Sequence, residues 1–351
     1  MFAADIKAVP PGAMNHQPAQ SWRTIIQPVE PFLDTVSQRL AREVESFDPG
    51  LAGYAEYALT GQGKHLRPAL VALTANALGK LEEAHATAAV IIEMVHLATL
   101  VHDDIMDEAE IRRGRLTLAA NWGNEIAVLF GDCLFARSLE LAAGFPTTDV
   151  CRAIAAATNT VCTGEVLQTQ RRGDFRFTRA DYLRILEMKT GELFAVSCEL
   201  SAFLSGSSKT EQAALRKFGM CFGTAYQIYD DCVDLFGSEE MAGKSLGTDL
   251  AKGKLTLPML LLWERASAED RERVQQMLKG WDASFMKQVG ELLAKYDTLP
   301  TSLETMRQIL GEARRALDMI GNESGRVGLG MLTEYLTRQT GALGYLPGSS
   351  V

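Results

Sequence analysis

The chain has 351 residues, with 35 Lys and Arg against 44 Asp and Glu, a formal net charge of -9, and 47% apolar residues. These proportions belong to a folded globular protein and exclude a disordered or fibrous one. The acidic balance speaks against a nucleic-acid-binding surface, and six Cys without a CxxC pair form neither a disulfide framework nor a zinc knuckle, so they read as reduced thiols.

Met1 to Gln20 holds Pro10-Pro11-Gly12 and a polar run, which predicts a flexible tail. It has no hydrophobic h-region, so no secretory signal is expected and the cytoplasm is the expected location. From residue 21 to 351 the pattern predicts one large all-α domain. Residues 84–111 read as one helix, with Val90, Ile91, Met94, Val95, Ala98, Val101 and Ile105 at three- and four-residue spacing. Thr178-Arg-Ala-Asp181 fits a capping box and opens a helix towards Leu204. A third helix starts near Thr210 and passes Tyr229. Leu255 to Ala266, Ala268 to Leu278, Phe285 to Tyr296, Ser302 to Ile320 and Val327 to Arg338 complete the predicted set. The breaks between them, such as Gly144-Phe-Pro146 and Arg172-Gly173, are short, with Gly237 to Gly253 the longest loop. No segment is expected to span a bilayer, which takes about 20 apolar residues. The richest candidate, Leu255 to Trp263, is too short and contains Pro258.

Two aspartate clusters stand out within apolar helical runs: Asp103-Asp104-Ile-Met-Asp107 and Asp230-Asp231-Cys-Val-Asp234. Positions i and i+4 share a helix face, so each cluster presents a pair of carboxylates from one side. Stacked like charges need a cation between them. Hard oxygen donors with room for water suit Mg²⁺ held together with substrate phosphates. A solvated acidic face would explain one such cluster, but not two in apolar surroundings.

Cations accompany both clusters. Arg112 and Arg113 follow the first, while Lys244, Lys252 and Lys254 follow the second. Lys64 and Arg67 lie upstream, and Lys189 sits in Met188-Lys-Thr-Gly191. Each alone reads as a surface charge. Together they describe a site for phosphorylated ligands, with metal on one side and cations on the other. Other motifs fail. Gly247 to Lys254 is one residue too long for a P-loop and Leu255 stands where Ser or Thr is required. Glu82-x-x-His85 and Glu93-x-x-His96 are about 16 Å apart along one helix and cannot share a di-metal centre.

These motifs, in this order, resemble the trans-prenyl diphosphate synthase (polyprenyl synthetase) family from about Gly61 to Leu262. GGKxxRP is matched at Gly61–Pro68 with Gln62 in place of a glycine, the first Asp-rich motif with its RRG at Asp103–Gly114, and KTG at Lys189–Gly191. The second Asp-rich motif and its QI lead-in lie at Gln227–Asp234, and GKxxGTDLxxGKLTLP at Gly243–Pro258. Leu116 departs from the proline usual after RRGx.

The resemblance implies an isoprenoid synthase helical bundle around a central apolar cavity. It implies up to three Mg²⁺ ions on Asp103, Asp104, Asp107, Asp230, Asp231 and Asp234. Arg112, Lys189, Thr190, Gln227, Lys244 and Lys254 would serve the allylic diphosphate, farnesyl or geranylgeranyl. Lys64, Arg67, His96 and Arg113 would bind isopentenyl diphosphate. His96 taken alone reads as a core-facing helix histidine. A homodimer is expected, with no nucleic acid and transient membrane contact for product release. Ala98 and Thr99 lie one turn before Asp103, where bulky aromatics stop elongation in the family; their small size implies a long product. Met94 and Phe135 are candidates for a deeper floor. The alternatives are a geranylgeranyl-type short-chain synthase, a class I terpene cyclase, and a non-catalytic subunit of a heteromeric synthase.

Overall fold

The computed structural model describes residues 21–60, 63–112, 114–238, 241 and 246–344. The predicted tail at residues 1–20 lies outside them. The described chain is helical apart from one two-stranded ribbon.

In chain order the helices are α1 (Trp22–Ile26), α2 (Glu30–Glu43), α3 (Ala52–Leu59), α4 (Leu66–Ala77) and α5 (Glu83–Met106). The ribbon follows, β1 (Ile111–Arg112) against β2 (Arg115–Leu116), with Ile111 opposite Leu116. Then come α6 (Leu118–Trp122), α7 (Asn124–Ala143), α8 (Asp149–Gln170), α9 (Arg179–Leu186), α10 (Glu192–Leu204) and α11 (Lys209–Phe236). The chain continues through α12 (Thr248–Ala251), α13 (Leu257–Arg265), α14 (Ala268–Lys279), α15 (Met286–Lys295), α16 (Thr298–Leu317) and α17 (Glu323–Gln339).

Two long helices organise the rest. The 24-residue α5 packs against α2, α4, α7 and α10, with Ile91, Ile92, Met94 and Ala98 fully buried. The 28-residue α11 packs against α10 and α16. Gly219 permits the α10 crossing, because a Cβ there would stand 2.4 Å from the Phe194 carbonyl oxygen. Both helices begin with capping boxes, Glu82 with His85 and Ser208 with Glu211. The Glu82–His85 pair is therefore occupied as a helix cap.

Three sequence expectations need correction. The helix predicted over 84–111 stops at Met106, where Asp107 caps it and Glu108 turns left-handed at φ 48°. The chain then reverses through the ribbon. The helix predicted from Thr178 to Leu204 has its capping box at Thr178 and Asp181, but a π-helical turn at Glu187–Gly191 interrupts it. Finally, α5 is long and apolar enough to cross a membrane by length and composition, contrary to the reading that no segment is. Its apolar residues are spent inside the bundle instead, since most of that window is buried.

Candidate active site

The C-terminal end of a helix carries partial negative charge from its aligned peptide dipoles. Both Asp clusters sit at such ends. Asp103 and Asp104 occupy the last turn of α5 with Asp107 as its cap, and Asp230 to Asp234 lie in the last two turns of α11. Carboxylates placed there are doubly unfavourable unless cations face them.

Each carboxylate of the first cluster has its own cation. The ribbon folds Arg112 back, so its Nε donates to Asp104 Oδ1 at 2.7 Å. Lys189 Nζ stands 4.0 Å from Asp103, pairs with Glu165 and donates to Gln168 Oε1 at 3.0 Å. Asp107 accepts from Lys254 Nζ at 3.1 and 3.2 Å, with Lys252 and Arg172 each at 3.4 Å. Burial pushes Asp103 and Asp104 above the usual carboxylate range, against the pull of Lys189 and Arg112 respectively. Burial acts on Asp107 too, but Lys254 and Lys252 outweigh it and hold this carboxyl low.

The π turn brings Lys189 and Thr190 inward together. Thr190 Oγ1 donates to Gln227 Oε1 at 3.0 Å, and Gln227 Nε2 donates to Asp231 Oδ1 at 2.9 Å. The Tyr182 hydroxyl donates to Asp231 Oδ2 at 2.6 Å. Asp231 is buried, and desolvation with the nearby Asp249 pushes it up to about 8, although Tyr182 and Gln227 oppose the shift. Asp230 is exposed, 3.5 Å from Gln227 Nε2.

Asp234 does different work from its neighbours. Its carboxylate accepts from Thr248 N at 3.2 Å, Thr248 Oγ1 at 2.9 Å and Asp249 N at 3.2 Å. It thereby holds the first turn of α12, the segment that delivers Lys252 and Lys254.

The remaining predicted residues that the structure describes fall on or beside α4, α5 and α7. Arg67, in the first turn of α4, stacks its guanidinium over Phe194 at 4.6 Å from the ring centroid. Lys64 is exposed just before it, and His96 is half-buried on α5. Arg113 and Lys244 lie outside the described residues. Ala98 and Met94 are fully buried on α5, Thr99 is half-buried and donates to the His96 carbonyl at 2.7 Å, and Phe135 is partly buried on α7.

Sequence reasoning missed Glu165, Gln168, Arg172 and Tyr182 as parts of the site. Glu165 and Gln168 are spaced i, i+3 on α8, which reads as an ordinary polar face. Arg172 falls in a Gly turn, and nothing local marks Tyr182.

Among the described residues, no group of three or more His, Cys, Asp or Glu side chains closes into a metal cage. Magnesium does not need one, since it keeps several waters and takes one or two carboxylates plus substrate phosphates. The half-buried Asp103 and the exposed Asp230, both at negative helix ends, fit that donor chemistry.

Carboxylates facing lysines and arginines are the donor set that a diphosphate held with a divalent cation would need. The polyprenyl synthetase family model matches residues 48–296, and the chain belongs to that family. It is 31% identical over 308 residues to the octaprenyl diphosphate synthase of Haemophilus influenzae, covering 88% of this chain and 93% of that protein. It is 30% identical over 310 residues to a short chain isoprenyl diphosphate synthase of Methanothermobacter thermautotrophicus, covering 87% and 95%. Its fold matches the crystal structure of a decaprenyl diphosphate synthase from Rhodobacter capsulatus with TM-score 0.85 and 30% identity, over 91% of this chain and 99% of that one. The protein is a prenyltransferase, of a family that joins isopentenyl diphosphate to an allylic diphosphate.

Proposed function

We propose that this chain is a magnesium-dependent all-trans-polyprenyl diphosphate synthase with a long-chain product. Overall similarity does not separate long from short products, because octaprenyl and short-chain relatives stand at 31% and 30% identity. The observation that carries the reading is the small side chain of Ala98, fully buried on α5 about one turn before Asp103 and followed by the modest Thr99. A small residue there leaves room for a growing chain along the helix.

Asp103, Asp107 and Asp230 would hold the metal, with Asp104 and Asp231 in support. Bound Mg²⁺ would offset the charge of the allylic diphosphate and make it a leaving group. Lys189, Arg112 and Lys254 would give up their carboxylate contacts to grip that diphosphate, with Lys244 assisting. Lys64, Arg67, His96 and Arg113 would position isopentenyl diphosphate. The allylic C–O bond breaks, the double bond of isopentenyl diphosphate attacks the resulting cation, and a proton leaves to the released diphosphate. Thr190 and Gln227 border the reaction centre, and the apolar interior excludes water from the cation.

The primer would be farnesyl or geranylgeranyl diphosphate, the enzyme a cytoplasmic homodimer, and the product released by transient contact with a membrane. Retention of both Asp clusters supports a catalytic chain over a non-catalytic subunit. Lys64 and Arg67 support a condensing enzyme over a terpene cyclase. The test is mass spectrometry of products from Mg²⁺, farnesyl diphosphate and labelled isopentenyl diphosphate. Wild type should extend the primer beyond C20, and Ala98→Phe should shorten the product. Unchanged length in Ala98→Phe would overturn the wall assignment. Absence of condensation by the wild-type protein would favour the subunit reading.

A further inference from the structure

One carboxylate, Asp107, carries three cations: Lys254 at 3.1 Å, and Lys252 and Arg172 at 3.4 Å each. Lys254 also lies 3.8 Å from Asp249, and Lys252 acts on Asp104 as well, but among the described residues Asp107 is the carboxylate that all three cations share. The Arg172 Nε is buried without a hydrogen-bond partner.

The two segments that deliver these cations are joined. Gly173 N donates to the Gly253 carbonyl at 2.8 Å, and a Cβ on Gly253 would lie 3.4 Å from Gly173 N. Phe175 packs against Trp263 of α13, the rings tilted by 41° with centroids 4.3 Å apart, which ties the Arg172 turn to the bundle. Arg172 and Lys252 are thus held in place by backbone and ring contacts that do not depend on Asp107.

If Asp107 turns to a divalent cation, three positive side chains lose their shared partner beside a new positive charge. A diphosphate oxygen cluster at that spot removes the conflict, and an arginine fork suits it. We propose that Arg172 and Lys252 are further ligands of the allylic diphosphate, resting on Asp107 in the free enzyme and passing with Lys254 to the diphosphate when substrate and metal arrive. This inference rests on the prenyl transfer reading above.

The test uses the full-length protein and the variants Arg172→Ala, Arg172→Lys and Lys252→Ala. Calorimetric titration with inorganic pyrophosphate, without and with Mg²⁺, reads binding apart from turnover. Steady-state kinetics then separate the two substrates. Each alanine variant should weaken pyrophosphate binding and raise the allylic KM about tenfold or more, as loss of one charge-assisted contact does. The isopentenyl diphosphate KM should change less than about twofold, and Arg172→Lys should restore part of the loss. A merely structural tie would lower the melting temperature of Arg172→Ala while leaving pyrophosphate affinity and the allylic KM unchanged; that result, or a shift confined to isopentenyl diphosphate, overturns the proposal. If Arg172→Ala does not fold, Arg172→Gln and Lys252→Ala decide on the same criteria. Wild type that fails to condense the substrates would sink the underlying function, whereas active wild type with unaffected variants sinks this inference alone.

Discussion

Six aspartates that look alike in sequence have divided their labour. Asp104 is buried and Asp103 half-buried, each with one cation nearest it, Asp107 collects three, and Asp230 is exposed. Asp234 is committed to α12 through Thr248 and Asp249. Asp231 is buried under Tyr182 and Gln227, and its pKa of about 8 has a thermodynamic consequence. An unfolded Asp ionises near 3.9. Between that value and about 8 the folded chain keeps the proton and the unfolded chain does not, so the stability this group contributes falls as pH rises. In metal-free buffer, Asp231→Asn should therefore gain melting temperature over wild type, by about 3 °C or more at pH 8. The gain should shrink towards pH 4. Calorimetry across that range checks it, and a gap that does not widen with pH would refute the burial argument.

The π turn is the local device that aims Lys189 and Thr190 at two different helices, Asp103 of α5 on one side and Gln227 of α11 on the other. Single π turns inside α-helices are rare and frequent at functional sites. This one is wedged from both sides. A Cβ on Gly164 would come within 2.9 Å of Lys189 N and the Met188 Cβ, and one on Gly191 within 2.6 Å of the Met220 sulfur. Gly164→Ala should push on the Lys189 backbone, costing about 1–3 kcal/mol as overpacking does. It should also lower kcat/KM about tenfold or more, because a displaced Lys189 no longer meets its ligand. Urea denaturation and steady-state kinetics measure the two effects, and a fully active Gly164→Ala would show that the turn tolerates a shift.

For the molecule as a whole, exposed apolar side chains recur along one stretch of the chain. Leu116, Trp122, Val128, Leu129 and Leu139 are all exposed along β2, α6 and α7, with Leu129 62% accessible. Grouped exposed apolar side chains of this kind mark contact surfaces. The homodimer proposed above would cover them, and α7 also packs against α5, the helix of the first Asp cluster. Leu129→Glu should convert the dimer to monomer in light scattering while circular dichroism stays unchanged. A variant that remains dimeric would move the interface elsewhere.

Much of this protein is written in short-range order along the chain. The all-α class follows from three- and four-residue periodicity. The capping box at Thr178 and the presence of α11, α14, α15, α16 and α17 are equally local. So are the paired carboxylates, because helix geometry alone puts i and i+4 on one face. The ordered motifs sufficed for the family. The assignment of cations to carboxylates was not legible there, since it rests on approaches between distant segments. Lys254 reaches Asp107 across 147 positions, Arg172 across 65, and Tyr182 reaches Asp231 across 49. The end of α5 at Met106 and the π turn belong to the same class. Continuous helix is the favoured local state in both segments, and it yields only because packing and buried charge in the assembled bundle reward the break. Spacing therefore paired the carboxylates and marked the cations that accompany them, while the folded bundle sorted the six aspartates into different surroundings.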